Sequence, residues 1–259
     1  MNGVLNLSIA QLASAYIFVI ILLLIVRIRG INREREILIS TIRMTLQLVL
    51  TGYVLSYIFK SSHFIYTIIA IVLMEIFAIY NTFKRVKINL SSRLKQVIAI
   101  SMLLGTLVSQ FYFILVVMNV SPWYDPRYFI PIAGMIIGNS MTGISLGVTR
   151  LTDGINAHRN LVETALMLGA SPKVACKSIV DNAFDAAILP TINSMVGMGI
   201  VFLPGMMTGQ ILSGISPTTA IEYQIAIMLG ILGSVALTVI VFLQLGYKTF
   251  FNDRQQLNI

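Results

Sequence analysis

The stretch SIAQLASAYIFVIILLLIVRI, residues 8–28, decides the fold class. From Ile17 to Val26 every side chain is aliphatic or aromatic. A helix rises 1.5 Å per residue, so about 20 such residues cross a hydrocarbon core about 30 Å thick. The run is too long for the apolar part of a signal peptide and no basic segment precedes it, so it is expected to remain as a first membrane span. Working outward, comparable runs follow at 38–59, 64–83, 96–118, 129–149, 186–203 and 219–246. The expectation is an all-α polytopic transmembrane helix bundle of about seven spans. It forms a single transmembrane domain over residues 1–259, with a cytosolic helical segment at 150–185.

Composition agrees. Of 259 residues, 57% are hydrophobic and 11% charged, where an average soluble domain carries about 25% charged residues. So little charge cannot cover a soluble surface, and lipid must cover part of this one. The net charge of +8 fits Lys and Arg retained in cytosolic loops. No basic run alternates with stacking aromatics, so nucleic acid is set aside as a partner. Cys176 has no second cysteine to pair with, and no Cys/His metal spacing occurs.

The connections set the orientation. Arg27, Arg29, Arg33 and Arg35 follow the first span; the next connection holds Lys60; then come Lys84, Arg85, Lys87, Arg93 and Lys95. Arg127 stands alone in the fourth, and Arg150, Arg159, Lys173 and Lys177 fill the fifth. The sixth, 204–217, has no charge, and the tail holds Lys248 and Arg254. Rich and poor connections alternate. The positive-inside rule then puts the N-terminus outside and the C-terminus inside. The charge-free 204–217 stretch reads either as a re-entrant segment or as a small-residue outer loop.

The cytosolic segment carries a helix, a break and a second helix. Residues 161–168 have helical composition, with Glu163 near the start. Gly169 stands where a left-handed residue closes a helix, and Ser171-Pro172 reads as an N-cap followed by proline at the first helical position. Leu161, Ala165 and Leu168 share a face, with Val162 beside them. A short amphipathic helix on the basic side must bury that face against the span ends or against a cytosolic partner.

The spacing Glu163-Thr164-Ala165-x3-Gly169-x9-Ile179 resembles, in part, the cytosolic EAA loop of ABC-transporter permeases. Other stretches are RMTLQLVLTGYVLSYIF (43–59), PIAGMIIGNSM (131–141), LMLGASPKVA (166–175), LPTINSMVGMGIVFLPGMMTGQILSGISP (189–217) and AIEYQIAIM (220–228). Together they resemble the Fet-type iron-export permease family over nearly the whole chain. The resemblance implies a permease subunit paired with a separate ABC ATP-binding subunit, two copies of each. It implies iron export linked to oxidative-stress resistance, with plant relatives tied to aluminium tolerance. The permease binds no cofactor; ATP and Mg belong to the partner ATPase. Glu163, Ala165, Leu168, Gly169, Ser171 and Pro172 become the ATPase-coupling residues.

Polar residues within the spans mark a candidate path. Ser40, Arg43, Gln47 and Thr51 recur along one face of the second span. Glu75 in the third lies at about the depth of Gln47, roughly 13 Å in by helical rise. It is expected to be satisfied by Arg43 and Gln47, either as a fixed structural pair or as a cation or proton site. Asn139 and Ser140 can bond across a close helix contact, since Gly134-x3-Gly138 and Gly143-x3-Gly147 allow either a dimer face or an internal one. Met195, Met198, Met206 and Met207 cluster near Gln210. Methionine serves gap filling as readily as soft-metal binding, so Glu75, Met206 and Met207 are candidate substrate-metal ligands alongside a packing reading. No Walker A, HExxH or GxSxG pattern occurs, and the chain reads as a transport subunit rather than an enzyme. Two alternatives are a stand-alone secondary transporter using Glu75 as a proton site and a membrane scaffold without transport.

Overall fold

A computed structural model describes residues 8–61, 63–86, 90–252 and 254–257; Lys87 of the charge pattern lies outside them. The described residues are overwhelmingly helical and include no strand beyond isolated bridges. The protein is an all-α helix bundle. Six helical stretches are long and apolar enough to cross a membrane. The chain divides into two compact units, 1–63 with 212–214, and 64–211 with 215–259.

The first unit is a helical hairpin. Ser8 and Gln11 form a reciprocal capping box that starts α1 (Ile9–Ala15). The helix continues past Tyr16 as α2 (Ile17–Ile28). Gly30, at φ +65°, closes it: the Gly30 and Ile31 amides bond back to Arg27 and Val26. The return helix is α3 (Glu34–Ser61). The Tyr16 hydroxyl bonds Thr45 at 2.6 Å, tying the two arms together.

The second unit holds the core. Its elements are α4 (Phe64–Arg85), α5 (Ser92–Tyr112) with a π-helical turn at Phe113–Val117, and α6 (Pro126–Ala157). Then come α7 (Arg159–Met167), α8 (Pro172–Ala175), α9 (Lys177–Gly197), α10 (Gly205–Leu212) and α11 (Pro217–Gly246). Asp125 caps α6, with Pro126 at its first position. The long α6 packs against α4, α5, α9 and α11, and α11 also packs on α5 and α9. Small residues let the axes approach. A Cβ on Gly143 would lie 2.7 Å from Val235 Cγ1, and one on Gly154 2.6 Å from Ile179 Cγ2. On Gly105 it would meet the Thr238 backbone at 2.7 Å. The Gly143-x3-Gly147 pair is therefore an internal contact against α11 and α9, while a Cβ at Gly138 would meet nothing within 4 Å.

One span boundary needs correction. The apolar run at 186–203 predicts a helix there, yet α9 starts at Lys177 and ends at Gly197. No breaker separates Lys177 from Asp185, so the helix runs from the polar stretch straight into the apolar one. At its far end Gly199 takes φ +83° and the chain turns back, the Gly199 amide bonding the Phe202 carbonyl at 2.9 Å. With Asp181, Asn182 and Asp185 on board, α9 is not among the six apolar candidates. The charge-free stretch after it is not all loop, because Gly205–Leu212 is helical.

Candidate functional site

Two places in the second unit combine the predicted residues with unusual chemistry. The first is the α7–α8 segment that precedes α9. α7 ends as the sequence predicts. Gly169 sits at φ +89°, its amide bonds Leu166 and the Ala170 amide bonds Ala165, each at 2.9 Å. That double closure satisfies carbonyls at the helix end, and only glycine adopts the left-handed position without strain. Ser171 has the extended conformation of an N-cap and Pro172 opens α8, although the Ser171 hydroxyl makes no capping bond.

The apolar face of α7 divides in two. Val162 is fully buried and Leu166 packs on the core, so they fasten the helix to the unit. Ala165 is half-buried. Leu161, Met167 and Leu168 are exposed, the last two by 85% and 84%. The sequence face that joined Leu161 to Leu168 is thus the outward one. Glu163 bonds Arg159 one turn back at 2.8 Å. Cys176 beside this segment is buried, and burial pushes its thiol up to about 11, as suits a packed and unreactive group.

The C-terminal tail joins this segment, a feature the sequence reading missed. After α11, Phe251 and Leu257 form a bridge, and Asn252 ties the turn through the amides of Arg254 and Gln256. Arg254 and Leu257 face Glu163, Met167 and Gly169 across a cleft of about 600 Å³. The tail has no hydrophobic period to announce it.

The second place is a polar layer inside the bundle. Glu75 on α4 is 3% exposed. The Thr106 hydroxyl of α5 donates to its Oε1, while Oε2 has no hydrogen-bond partner. Gln110, one turn further along α5, is fully buried and neither atom of its amide is bonded. Ser140 of α6 and Ser234 of α11 share a hydrogen bond of 2.9 Å nearby in the bundle. Thr106 and Gln110 also escaped the sequence reading, although their i, i+4 spacing was there to find. Arg43 and Gln47, the expected partners of Glu75, lie on α3 of the first unit; the partner given to Glu75 is Thr106.

The other predicted path residues are scattered. Arg43, Gln47 and Thr51 are exposed on α3. Asn139 is exposed and bonds the Met135 carbonyl of its own helix, so Ser140 alone of that pair reaches another helix. Met198 caps α9 and accepts from Gln224 at 3.7 Å. Met207 is buried and Met206 packs on the core. Gln210 shares α10 with them. Among the described residues no group of three or more His, Cys, Asp or Glu side chains could hold a metal. A separate groove of about 800 Å³ between α5 and α11 is lined mainly by apolar side chains, with Gly230 and Gly233 among the lining.

Known proteins are similar to this chain in sequence. Residues 9–251 match the family described as "Uncharacterised protein family (UPF0014)". The membrane protein YjkA of Bacillus subtilis is 36% identical, over 95% of this chain and 97% of its own. The probable iron export permease protein FetB of Escherichia coli is 33% identical, over 97% of this chain and 95% of its own. The Arabidopsis thaliana protein Aluminum Sensitive 3 is 36% identical, over 95% of this chain and 88% of its own. No solved structure matches. Six apolar helices and these membrane relatives make the chain a multi-pass cell-membrane protein, and by extent and identity it belongs to the UPF0014 family.

Proposed function

We propose that the chain is the membrane-spanning subunit of an ABC exporter, moving a metal cation, iron in the first instance, with ATP hydrolysed by a separate subunit. The observation that carries this reading is the divided face of α7. Val162 anchors the helix while Leu161, Met167 and Leu168 stand in water. Three large apolar side chains on a short cytosolic helix fit insertion into a groove on a soluble partner. The FetB name supports the cargo. ATP and Mg bind the partner and not this chain.

In this reading α9 completes a set of about seven spans, with the N-terminus outside and the C-terminus inside. ATP binding closes the partner dimer, α7 and α8 move with it, and the spans rock to open the opposite side. Two copies flank the path. Ser40, Arg43, Gln47 and Thr51 are exposed on α3, and an intramembrane polar stripe belongs against protein or water, not lipid. A second copy supplies such a neighbour.

The experiment is co-purification of the tagged chain from mild detergent beside Ala165→Arg and Gly169→Arg variants. The expected result is a soluble ATPase that elutes with wild type, hydrolyses ATP faster with Fe(II), and is lost from both variants while they remain folded. If wild type brings down no ATPase, the exporter reading fails. The second reading then leads: a proton-coupled transporter, favoured by Glu75, a carboxyl buried with one oxygen unbonded.

A further inference from the structure

We infer that Glu75, Thr106 and Gln110 form an oxygen-lined site for one hard or borderline divalent cation inside the second unit. The inference deepens the transport reading, on which it rests for its purpose, by giving the cargo a place to stop.

Consider what the layer leaves unsatisfied. Buried polar atoms are nearly always hydrogen-bonded, and inside a membrane the cost of leaving them bare is higher still. Here three atoms of two side chains on the adjoining helices α4 and α5 lack partners: Glu75 Oε2, Gln110 Oε1 and Gln110 Nε2. Glu75 is 3% exposed, and Thr106 and Gln110 are fully buried, so bulk water does not satisfy them. Thr106 already donates to the other carboxylate oxygen. On a helix, i and i+4 side chains stand about 5–6 Å apart at Cβ, which brings the long Gln110 side chain within reach of the Glu75 carboxyl that Thr106 holds.

The charge points to a cation. Glu75 is the one charged side chain among the buried described residues. The basic groups on the helices packed around it are exposed: Lys84 and Arg85 on α4, Arg93 and Lys95 on α5, Arg127 and Arg150 on α6. The acidic Asp153 of α6 and Glu222 of α11 are exposed as well. No ion pair of the described residues includes Glu75. An ionised carboxylate so placed needs a counter-charge, and the bare acceptors, Glu75 Oε2 and Gln110 Oε1, are oxygens. Carboxylate, carbonyl and hydroxyl donors suit Mn(II)-like cations rather than Cu(I), which selects thioether and thiolate. A single carboxylate also sets the strength. A resident metal needs more ligands than this, whereas a cation in transit must bind weakly enough to leave.

The test uses the purified full-length chain in detergent, with Mn(II) as probe and its free concentration read by electron paramagnetic resonance. Wild type should bind about one Mn(II) per chain, displaced by anaerobic Fe(II) and not by Na⁺. Glu75→Gln should weaken binding at least ~10-fold, and so should Gln110→Leu, which keeps the carboxylate and covers the case in which Glu75→Gln does not fold. Thr106→Val should fall between them and wild type. Folding is read by gel filtration and thermal melting of each variant. If wild type binds no more Mn(II) than folded Glu75→Gln or folded Gln110→Leu, the site does not exist and buried water fills the layer. The ATPase is not needed for this measurement, so loss of the partner in co-purification sinks the exporter reading and leaves the cation site readable.

Discussion

Helix α7 and the layer around Glu75 break opposite rules. On α7 and its cap, large apolar side chains are left uncovered: Met167 and Leu168 are almost wholly exposed. In the layer, polar atoms stand away from water: Gln110 is fully buried with neither amide atom bonded. Each arrangement costs free energy in the isolated chain. Between them, valine, isoleucine and phenylalanine fill the contacts among α6, α9 and α11. The difference in sign separates the partners. An apolar side chain in water asks for a protein surface, and a bare oxygen in a dry core asks for a cation or a water molecule.

The comparison breaks most visibly at Val162 and Leu168, two apolar residues of one short element with opposite fates. Val162→Asp buries an unpaired charge and should cost about 3–5 kcal/mol, releasing α7 and lowering the melting temperature. Leu168→Asp alters a surface position and should change stability by no more than about 0.5 kcal/mol. Yet Leu168→Asp should abolish ATPase co-purification as fully as Val162→Asp does. A thermal melt run beside the pull-down separates the two. If Leu168→Asp retains the ATPase, the exposed face of α7 is not the docking surface.

A smaller effect sharpens the other half. Thr106 and Thr82 are both buried threonines that bond the carbonyl one turn back on their own helix, Met102 at 2.7 Å and Ala78 at 2.9 Å, but Thr106 also bonds the Glu75 carboxyl. Thr106→Val leaves the Glu75 carboxyl without its donor and should cost about 1–3 kcal/mol. Thr82→Val removes a local bond and should cost about 0.5–1.5 kcal/mol. Thermal unfolding of the two variants in the same detergent gives the ranking. Equal losses would mean that Glu75 gains nothing particular from Thr106.

The two halves were unequally legible. Gly169 followed by Ser171-Pro172 announces the end of α7 and the start of α8, because left-handed backbone and proline leave few alternatives. Which side of α7 faces inward was not legible. Leu161, Val162, Ala165 and Leu168 are all apolar, and tertiary packing rather than periodicity chose Val162. The start of α9 was misplaced because hydropathy marks the membrane and not the helix, and Lys177–Asp185 is helical without being apolar. In the layer, Glu75 stood out by its charge. Thr106 and Gln110 did not, since two uncharged polar residues hardly dent the hydropathy of α5; their spacing was the available signal. The tail could not be foreseen, because its turn is held by Asn252 and backbone groups.

The smallest predicted effect bears on Glu163. Its ion pair with Arg159 is exposed, and such an i, i+4 pair contributes about 0.3–0.5 kcal/mol. Arg159→Ala and Glu163→Ala remove the same pair and should lower stability equally, by no more than that amount. If pairing is all that Glu163 does, the two variants should also retain the ATPase equally. Glu163 also faces the cleft shared with Arg254 and Leu257, whereas Arg159 is not among the residues that line it. Glu163→Ala should therefore weaken ATPase retention while Arg159→Ala leaves it unchanged. Because the fold loses the same pair either way, any asymmetry in retention measures contact with the partner and not the stability of α7.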